Sequence, residues 1–338
     1  MPEVMLAAVL EGFGRPLRLA QVSRPEPGPG QILIRLEASG VCHSDVHVWQ
    51  GEMRPTVPPS PFILGHEGIG IVAAVGPDVR DWTPGERAGI GWLHDTCGRC
   101  AECLDGAESF CQSQRAHGFD VAGTFAEYVV ADARFAFRLP AGAAPGLAPL
   151  MCAGVTAYGA IERAEVRHGE GCAIFGCGGL GQYAIQLARR RGANVVAIDR
   201  DAGKLAVARS LGAASTKLAD ETLAASWPAQ ERVASCINFA PSPASWPAMV
   251  AAVRPRGRIV AAAMVAEPVA LSQEWLASTG VSVTGTSVGT RTQMRDLLRL
   301  HAQEPLASQV AEIPLGEVSD ALAGLRQGSA QGRFAIVF

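Results

Sequence analysis

A strand, a glycine-rich turn and a helix follow one another at residues 172–188, and this succession constrains the fold more than any other part of the chain. The strand is the apolar run Cys-Ala-Ile-Phe, and the turn is Gly176-Cys-Gly-Gly-Leu-Gly181. Apolar residues then recur at the spacing of one helix face: Leu180, Tyr183, Ala184, Leu187 and Ala188. A second strand, at residues 194–198, ends in Asp199. Together these pieces, within about 30 residues, are typical of a dinucleotide-binding unit.

The chemistry of a dinucleotide accounts for the residue types in this unit. Glycines let the backbone approach a pyrophosphate at the positive end of the helix, and Asp199 can hydrogen-bond the ribose 2′-hydroxyl. That carboxylate would repel a 2′-phosphate, so NAD is favoured over NADP, although Arg200 beside it is a residue type that accommodates NADP. The alternative for Asp199 is a solvated carboxylate at the end of a strand.

Strands and helices continue to alternate after this unit. The pattern predicts helices at residues 204–211 and 248–253 and strands at residues 235–239, 257–264 and 281–284, with loops concentrated at residues 224–247. Such alternation indicates an α/β fold with a doubly wound parallel sheet. Beyond Gly289 we expect helices at residues 293–302 and 318–327, and a last strand at residues 334–338 that rejoins the first domain.

The chain before residue 150 has a different pattern. Short apolar runs alternate with proline-rich turns over residues 4–39, and strand-like runs recur at residues 69–75 and 123–139, as in a β-rich domain. A connector of Ala, Gly and Pro at residues 140–149 places the domain boundary near Cys152. The 338 residues suit about two domains of ordinary size.

Residues 40–68 bring a thiol, imidazoles and carboxylates into one glycine-rich, apolar neighbourhood. Cys42 and His66 are ligand types that zinc selects, while Asp45 and Glu67 can orient a ligating imidazole. Cys152 is the best candidate for a third ligand. Three protein ligands leave a fourth position open, which predicts a catalytic zinc site. The alternative is two buried apolar thiols and a satisfied core histidine.

Four further cysteines crowd together, with the spacing C-x2-C-x2-C-x7-C: Cys97, Cys100, Cys103 and Cys111. Four thiolates can wrap one ion completely, which predicts a closed, structural zinc site. The alternatives are an iron–sulfur cluster and disulfides. A zinc-ribbon nucleic-acid module would need two separated C-x2-C pairs and a basic face, and the sequence has neither. His94 and His117 lack a partner at ligand spacing, so we predict surface or loop positions for both.

Charge and hydropathy exclude some partners. The net charge is −3 without a basic run, which argues against nucleic acid or an anionic membrane surface. Hydrophobic residues make up 48% of the chain, but 38 Gly and 22 Pro interrupt them, and no run approaches the roughly 20 apolar residues of a membrane span. The amino terminus lacks the regions of a signal peptide, so we expect a cytoplasmic protein.

The order of these features resembles the zinc-dependent medium-chain alcohol dehydrogenases from end to end, and most of all the tetrameric bacterial and yeast enzymes. The resemblance implies a GroES-like catalytic domain at residues 1–152 that carries a structural zinc lobe at about 94–112. It implies a Rossmann domain at 153–289 and a return to the catalytic domain at 290–338. It also implies two Zn²⁺ per subunit, NAD, a small alcohol, aldehyde or ketone as substrate, and a homotetramer.

The resemblance also assigns roles to single residues. Cys42, His66 and Cys152 match the catalytic zinc ligands, and the four clustered cysteines match the structural site. Glu67 and Asp45 fall behind the catalytic metal, and Ser44 with His47 matches the proton relay. Residues that match cofactor contacts are His43, Gly176, Gly178, Gly179, Leu180, Gly181, Asp199, Arg200, Lys204, Val288 and Arg333, of which His43 and Arg333 fall at the pyrophosphate.

Substrate preference depends on three residues that resemble pocket positions of the family. Trp49 and Trp92 resemble the aromatic walls of small-alcohol enzymes, and Trp92 is expected to face the zinc. Met53 falls where ethanol-oxidising relatives tend to carry tryptophan, and a flexible thioether leaves more room. We therefore predict longer, branched or aromatic primary alcohols, and secondary alcohols, as substrates.

Other functions remain as alternatives. A zinc-independent quinone or enone reductase of the same superfold would lack the metal ligands. A specialised dehydrogenase for a polyol or an acyl thioester alcohol, and a zinc- and nucleotide-binding protein without catalysis, keep the same motifs. Cys172, Cys177 and Cys236 match no ligand position, and we expect Cys177 to make the protein sensitive to oxidation.

Overall fold

The computed structural model of the protein describes residues 3–53, 62–330 and 332–338. Its strands, in chain order, are β1 (Val4–Leu10), β2 (Arg18–Ser23), β3 (Gln31–Val41), β4 (Phe62–Ile63), β5 (Glu67–Val75), β6 (Arg87–Ile90), β7 (Leu93–Asp95), β8 (Arg115–Ala116), β9 (Tyr128–Asp132), β10 (Ala136–Arg138), β11 (Gly171–Phe175), β12 (Asn194–Asp199), β13 (Ser215–Leu218), β14 (Val233–Asn238), β15 (Val253–Ala261), β16 (Ser282–Gly285), β17 (Val310–Pro314) and β18 (Arg333–Val337).

The α-helices are α1 (His43–Gln50), α2 (Ala101–Leu104), α3 (Ala153–Arg163), α4 (Gly179–Arg190), α5 (Ala202–Ser210), α6 (Leu223–Ser226), α7 (Trp246–Ala252), α8 (Gln273–Thr279), α9 (Arg291–Gln303) and α10 (Val318–Gln327). Short 3-10 helices lie at Glu108–Phe110, Pro145–Met151, Ala229–Glu231, Pro243–Ser245 and Leu315–Glu317. Within the described residues, every helix is too short or too polar to cross a membrane.

The chain divides into two compact units. The first comprises Met1–Ala153, Thr290–Arg299 and Gln309–Phe338, and the second comprises Gly154–Gly289 and Leu300–Ser308.

The first unit is built on two mainly antiparallel sheets, in which only the β17–β18 pair of the described strands is parallel. Its larger sheet has the order β10-β6-β5-β3-β18-β17, with β9 also paired to β3, and a smaller sheet has the order β2-β1-β4. Strand β3 is long enough to serve several partners, and its alternate side chains Ile32, Ile34 and Leu36 are buried in one apolar cluster. Strand β18, which comes from the last part of the chain, pairs with β3 through Phe334 and Val41.

The second unit holds a six-stranded sheet with the order β13-β12-β11-β14-β15-β16, and all of its pairs are parallel. The predicted α/β fold class is therefore confirmed. Strand β13 and helix α8 escaped the sequence prediction because neither shows a clear apolar period. The predicted loop stretch at 224–247 is partly structured, since Trp227 packs into the apolar core of this unit.

Candidate active site

The junction of β3 and α1 positions Cys42, the first candidate metal ligand. Strand β3 ends at Val41 and Cys42 caps helix α1, so the Cys42 side chain is fixed by both elements. Asp45 in the first helical turn accepts the Cys42 backbone N–H at 2.8 Å through Oδ2. Its other oxygen, Oδ1, lies 3.0 Å from His66 Nδ1. One buried carboxylate thus caps the helix and directs the Nδ1 proton of the imidazole toward itself, which leaves His66 Nε2 available as a ligand.

Four candidate donors converge at this junction. One ligand atom each from Cys42, His66, Glu67 and Cys152 lie within 4.8 Å of one another, and all four residues are buried. The sulfurs of Cys42 and Cys152 are 4.0 Å apart. Within the described chain, His66 Nε2 and Glu67 Oε2 are buried without a hydrogen-bond partner. Buried polar atoms rarely stay unpaired, and two thiols with an imidazole are a zinc donor set, so these residues fit a zinc ion.

The pKa values of the two thiols also fit a metal site. The Cys152 thiol, as a hydrogen-bond partner, holds the pKa of Cys42 well below its usual range, although burial opposes this. The pKa of Cys152 is raised well above its usual value by the same contact and by burial. Cys42 is therefore the first of the pair to become a thiolate. A divalent cation would displace the remaining proton, because metal binding requires deprotonated thiols.

Glu67, on β5, is paired with a cation from β18, two strands away in the same sheet. Arg333, on β18, forms an ion pair with Glu67 Oε1, and both side chains are buried. Burial raises the pKa of Glu67 to about 7, while the Arg333 charge opposes that rise. The backbone approaches closely on the other side, where a Cβ on Gly40 would lie 1.8 Å from Glu67 Oε2. Gly40 is therefore required to leave space for this carboxylate.

Residues of α1 place a hydroxyl and two further imidazoles near the cluster. Ser44 Oγ lies 3.8 Å from Cys42 Sγ. The rings of His43 and His47 are 5.1 Å apart in an edge-on arrangement. Burial, together with the charge of His47, lowers the pKa of His43. His47 Nδ1 contacts Glu52 Oε2 at 2.5 Å, a partner that the sequence analysis did not identify.

The three residues predicted to line the substrate pocket, Trp49, Met53 and Trp92, have different surroundings. The Trp92 ring lies edge-on to His66, with 5.0 Å between ring centroids, and stacks on Phe119. Trp49 belongs to the buried apolar cluster of the first unit, and its Nε1 donates to the Arg15 carbonyl at 2.6 Å. Met53 packs partly buried against the same cluster. Residues 54–61, which follow Met53, lie outside the described part of the chain.

The four clustered cysteines also come together. Cys97, Cys100, Cys103 and Cys111 each offer a sulfur within 4.8 Å of the others, with Cys97 and Cys111 only 3.6 Å apart. Backbone N–H groups of Arg99 and Cys100 lower the pKa of Cys97 to about 6, which favours a thiolate. Sulfurs at this separation without a disulfide fit a tetrahedral ion. With the buried cluster at Cys42, this confirms the prediction of two zinc sites.

Two predictions about single residues were wrong. His94 and His117 are not surface residues but are 3% and 0% exposed, because each imidazole finds a buried partner, namely the other ring 3.1 Å away. Cys177 is not an oxidation-prone thiol. It is fully buried, and burial raises its pKa to about 12, whereas oxidation requires an accessible thiolate.

The glycine-rich turn leaves the start of α4 open. Gly176 has φ of +91°, and a Cβ on Gly181 would lie 2.0 Å from the Gly176 carbonyl oxygen, so neither position tolerates a side chain. A Cβ on Gly178, which caps α4, would meet nothing within 4 Å. Gly179 and Leu180 follow as the first helical residues and are partly exposed. Backbone donors are thus accessible at a helix amino terminus, where an anion is favoured.

The strand that ends at Asp199 faces this turn. Asp199 Oδ2 accepts the Cys177 backbone N–H at 2.7 Å, and its Oδ1 accepts that of Asp201 at 3.0 Å. Arg200 is exposed, and the backbone N–H of Lys204 is bound by the Asp201 side chain, which caps α5. Val288 has φ of +39°, a strained conformation for a β-branched residue. Strain of this kind is often retained at binding sites.

One connection in the first unit has no sequence signal of its own. The Glu108 carboxylate, buried beside the four-cysteine lobe, accepts the backbone N–H of Arg291 at 2.9 Å and its Nε at 3.1 Å. The two residues are 183 positions apart, so spacing could not reveal the pair.

Comparison with known proteins covers most of the chain. The alcohol dehydrogenase GroES-like domain matches residues 28–141, and the zinc-binding dehydrogenase domain matches residues 179–303. An alcohol dehydrogenase of Moraxella sp. (strain TAE123) is 37% identical over 335 residues, which are 98% of this chain and 99% of the relative.

Solved structures share the fold. A cobalt- and zinc-bound thermostable alcohol dehydrogenase from Pyrobaculum aerophilum has a TM-score of 0.90 and 30% identity, covering 99% of this chain and 100% of the other. An acetophenone reductase from Geotrichum candidum, solved in complex with NAD, has a TM-score of 0.89 and 26% identity, covering 100% and 98%.

Proposed function

Because the chain belongs to the zinc-dependent medium-chain alcohol dehydrogenase family, we propose that it oxidises longer, branched or aromatic primary alcohols, and secondary alcohols, to aldehydes and ketones. It is a zinc alcohol dehydrogenase that uses NAD, and the reaction is reversible. The observation that carries the proposal is the buried convergence of Cys42, His66 and Cys152, with His66 Nε2 unpartnered within the described chain. Three protein ligands of this kind leave a fourth position for substrate.

The chain's own residues hold and tune the catalytic ion. Cys42, His66 and Cys152 bind it, and Asp45 keeps His66 in the tautomer whose Nε2 is free to ligate. Glu67 places a carboxylate behind the thiols, and Arg333 balances its charge. When bound, zinc would supply the Lewis acidity that lowers the pKa of a bound hydroxyl toward neutrality.

Ser44 and His47 provide the route for the alcohol proton. Ser44 Oγ lies beside Cys42, a proposed zinc ligand, so its hydroxyl is the first group of the chain that can accept the proton of the substrate alcohol. Glu52 is largely exposed and, when ionised, can only accept a hydrogen bond, so His47 Nδ1 carries a proton toward it. His47 Nε2 is then the nitrogen that exchanges a proton with solvent.

The resemblance assigns the cofactor contacts to the glycine-rich turn, to the strand that ends at Asp199 and to several single residues. Gly176, Gly178, Gly179, Leu180 and Gly181 receive the pyrophosphate at the α4 amino terminus, and Asp199 receives the ribose 2′-hydroxyl. Two backbone donors already fix the Asp199 carboxylate, which supports NAD over NADP. NAD, when bound, supplies the hydride acceptor. Arg200 and Lys204 would flank the adenosine end, and Val288 would line the cofactor site. At the pyrophosphate, Arg333 would supply positive charge, and His43, whose pKa is lowered by burial, would donate a hydrogen bond as a neutral imidazole.

The test of this proposal is the initial rate of NAD reduction across a graded set of alcohols, from ethanol to bulky secondary and aromatic ones. We expect clear rates that hold or rise with alcohol size because Met53 leaves room in the pocket. A rate that falls steadily from ethanol to benzyl alcohol would contradict the Met53 argument. The variant Met53→Trp should shift preference toward ethanol.

Cys42→Ala provides the decisive variant, with Cys172→Ala as its matched control. Both remove a buried thiol, but Cys172 lies on β11, away from any ligand cluster of the described chain. We expect Cys42→Ala to abolish the rate and to leave one zinc per chain, whereas Cys172→Ala keeps both zincs and the rate. No rate with any alcohol, despite two zincs and bound NAD, would favour a polyol or acyl thioester dehydrogenase or a non-catalytic binding protein.

Three broader features of the proposal follow from family resemblance. By this resemblance the domains are residues 1–152 with a zinc lobe at about 94–112, residues 153–289, and residues 290–338, although Leu300–Ser308 groups with the second compact unit. The enzyme is a cytoplasmic homotetramer, so light scattering should give four times the 35.3 kDa chain mass. Cell fractionation tests the location. A monomeric mass would refute the tetramer without affecting the activity.

A further inference from the structure

We infer that His117, with its ring fixed by His94, is a positioning residue that holds Trp92 against His66 and thereby influences which alcohols fit. The inference rests on the proposed alcohol dehydrogenase function for its effect on substrates. Its structural part, the placement of the indole, is independent of that function. Neither histidine is a candidate metal ligand, since the donor clusters of the described chain do not include them.

The hydrogen-bond directions of the pair follow from one acceptor. His117 Nδ1 lies 2.9 Å from the Gly91 carbonyl oxygen, which can only accept, so Nδ1 carries the proton. His117 Nε2 is then the acceptor for His94 Nδ1–H at 3.1 Å. Burial lowers the pKa of His117 to about 3, and it also lowers that of His94. Both rings are therefore neutral at physiological pH, and one tautomer of each makes these two bonds. The remaining nitrogen, His94 Nε2, lies 3.6 Å from Asp95 Oδ2, which is too far for a hydrogen bond.

This chain of bonds ends at the backbone that carries Trp92. The His117 side chain binds the carbonyl of Gly91, and its backbone N–H donates to the carbonyl of Trp92 at 2.9 Å. Two successive carbonyls are thus fixed by one residue. His94 lies on β7, two residues after Trp92, and β7 pairs with β8, which ends next to His117. The imidazole pair therefore joins β7 to the residue that follows β8, close to Trp92.

The fixed segment packs directly on the metal cluster. Trp92 lies edge-on to His66 at 5.0 Å between centroids, with Phe119 stacked on it. Gly91 packs so closely that a Cβ there would lie 2.6 Å from the carbonyl oxygen of Met151, the neighbour of Cys152. A rotation of the 91–92 backbone would therefore change the space beside two proposed zinc ligands. Packed segments of this kind transmit small shifts because they have no free volume.

The test uses two substitutions of His117 with opposite expectations. His117→Phe keeps the volume but removes the donor to Gly91, while His117→Asn retains a donor near the Nδ1 position. His301→Phe is the matched control, because His301 also binds backbone, accepting the Leu306 N–H at 3.1 Å, but lies in the second unit. All three variants are compared by thermal unfolding and by zinc content, which should stay at two per chain.

The first readout does not require activity. With 5-fluorotryptophan in place of the six tryptophans, the ¹⁹F signal that disappears in Trp92→Phe belongs to Trp92. We expect His117→Phe to shift or broaden that signal, and His117→Asn and His301→Phe to leave it in place. An unmoved Trp92 signal in His117→Phe would overturn the inference even if the enzyme were fully active.

The second readout is the substrate profile. A lost hydrogen bond corresponds to about a fivefold effect, so His117→Phe should raise KM for small alcohols about fivefold, with little change in kcat. The ratio of kcat/KM for benzyl alcohol to that for ethanol should rise by a similar factor, and His117→Asn should restore it. An equal loss of kcat for every alcohol, with unchanged KM, would indicate general destabilisation and overturn the positioning role. If the wild-type enzyme oxidises no alcohol, the ¹⁹F result still decides the structural part.

Discussion

Replacing Gly40 with alanine should disturb the metal site, because the added Cβ atom would collide with the Glu67 side chain. Gly40 lies on β3 directly opposite Glu67 on β5, and an added Cβ would lie 1.8 Å from Glu67 Oε2 and 2.9 Å from its Cβ and Cδ. Oε2 would have to retreat by about 1.6 Å to reach the 3.4 Å of an ordinary contact. The carboxylate cannot move freely, because Arg333 holds its other oxygen in a buried ion pair.

These contacts set limits on how much Gly40→Ala lowers the free energy of unfolding. Overpacking a dense core costs about 1–3 kcal/mol, and breaking a buried ion pair costs about 3–5 kcal/mol. Partial displacement of Glu67 should fall between these limits, so we expect Gly40→Ala to lower the free energy of unfolding by about 2–4 kcal/mol. Because Glu67 Oε2 also belongs to the catalytic donor cluster, the zinc of that site should bind more weakly.

Urea unfolding of the zinc-loaded protein and a chelator competition measure the two effects. Gly146→Ala is the control, since a Cβ there meets nothing within 4 Å, and it should change stability by less than about 0.5 kcal/mol. Introducing Gly40→Ala into a Glu67→Ala background tests the cause, because the clash with Oε2 and Cδ is then absent. If the penalty is below about 0.5 kcal/mol in wild type, or equally large in both backgrounds, the steric argument is refuted.

Three further outcomes follow from the same contacts. Cys111→Ser should leave one zinc per chain by elemental analysis, whereas Cys236→Ser, at a buried non-ligand thiol, should keep two. Arg333→Met should cost about 3–5 kcal/mol in urea because it strands the buried Glu67 carboxylate, whereas Arg254→Met at an exposed pair should cost less than about 1 kcal/mol. The pKa of His117 is about 3 when folded and near 6.5 when unfolded, so only the unfolded chain gains a proton as pH falls between these values. Its stability contribution is complete above pH 6.5 and declines below it, so wild type should lose about 2 kcal/mol more than His117→Asn between pH 7 and pH 5. Equal losses would show that His117 titrates normally.

Features that depend on neighbouring residues were predictable from the sequence. The spacing of Cys97 to Cys111 and the turn from Gly176 to Gly181 each determine their chemistry within a short stretch, and both form as expected. The alternation of strands and helices likewise predicted the parallel sheet, although the short edge strand β13 lacked a recognisable pattern.

Features that depend on distant partners were not predictable. The burial of His117 rests on His94, 23 residues away, and a histidine carries no local sign of whether it will find such a partner. The ion pair of Glu67 with Arg333 spans 266 residues, so no local pattern could connect Arg333 to that carboxylate. The contact between His47 and Glu52 was also not predicted, because it forms only through the turn at Gly51.

The position of Arg333 in the chain has a consequence for biosynthesis. Glu67 leaves the ribosome long before its counter-charge exists, since 266 residues separate the two. At a translation rate of about 5–20 residues per second, the delay lasts roughly ten to fifty seconds. Strand β18, which pairs with β3, is equally late, whereas the six-stranded sheet is complete by Gly285. The parallel sheet can thus form on the nascent chain. In the first unit, the edge of β3 that pairs with β18 stays unpaired until β18 has been translated.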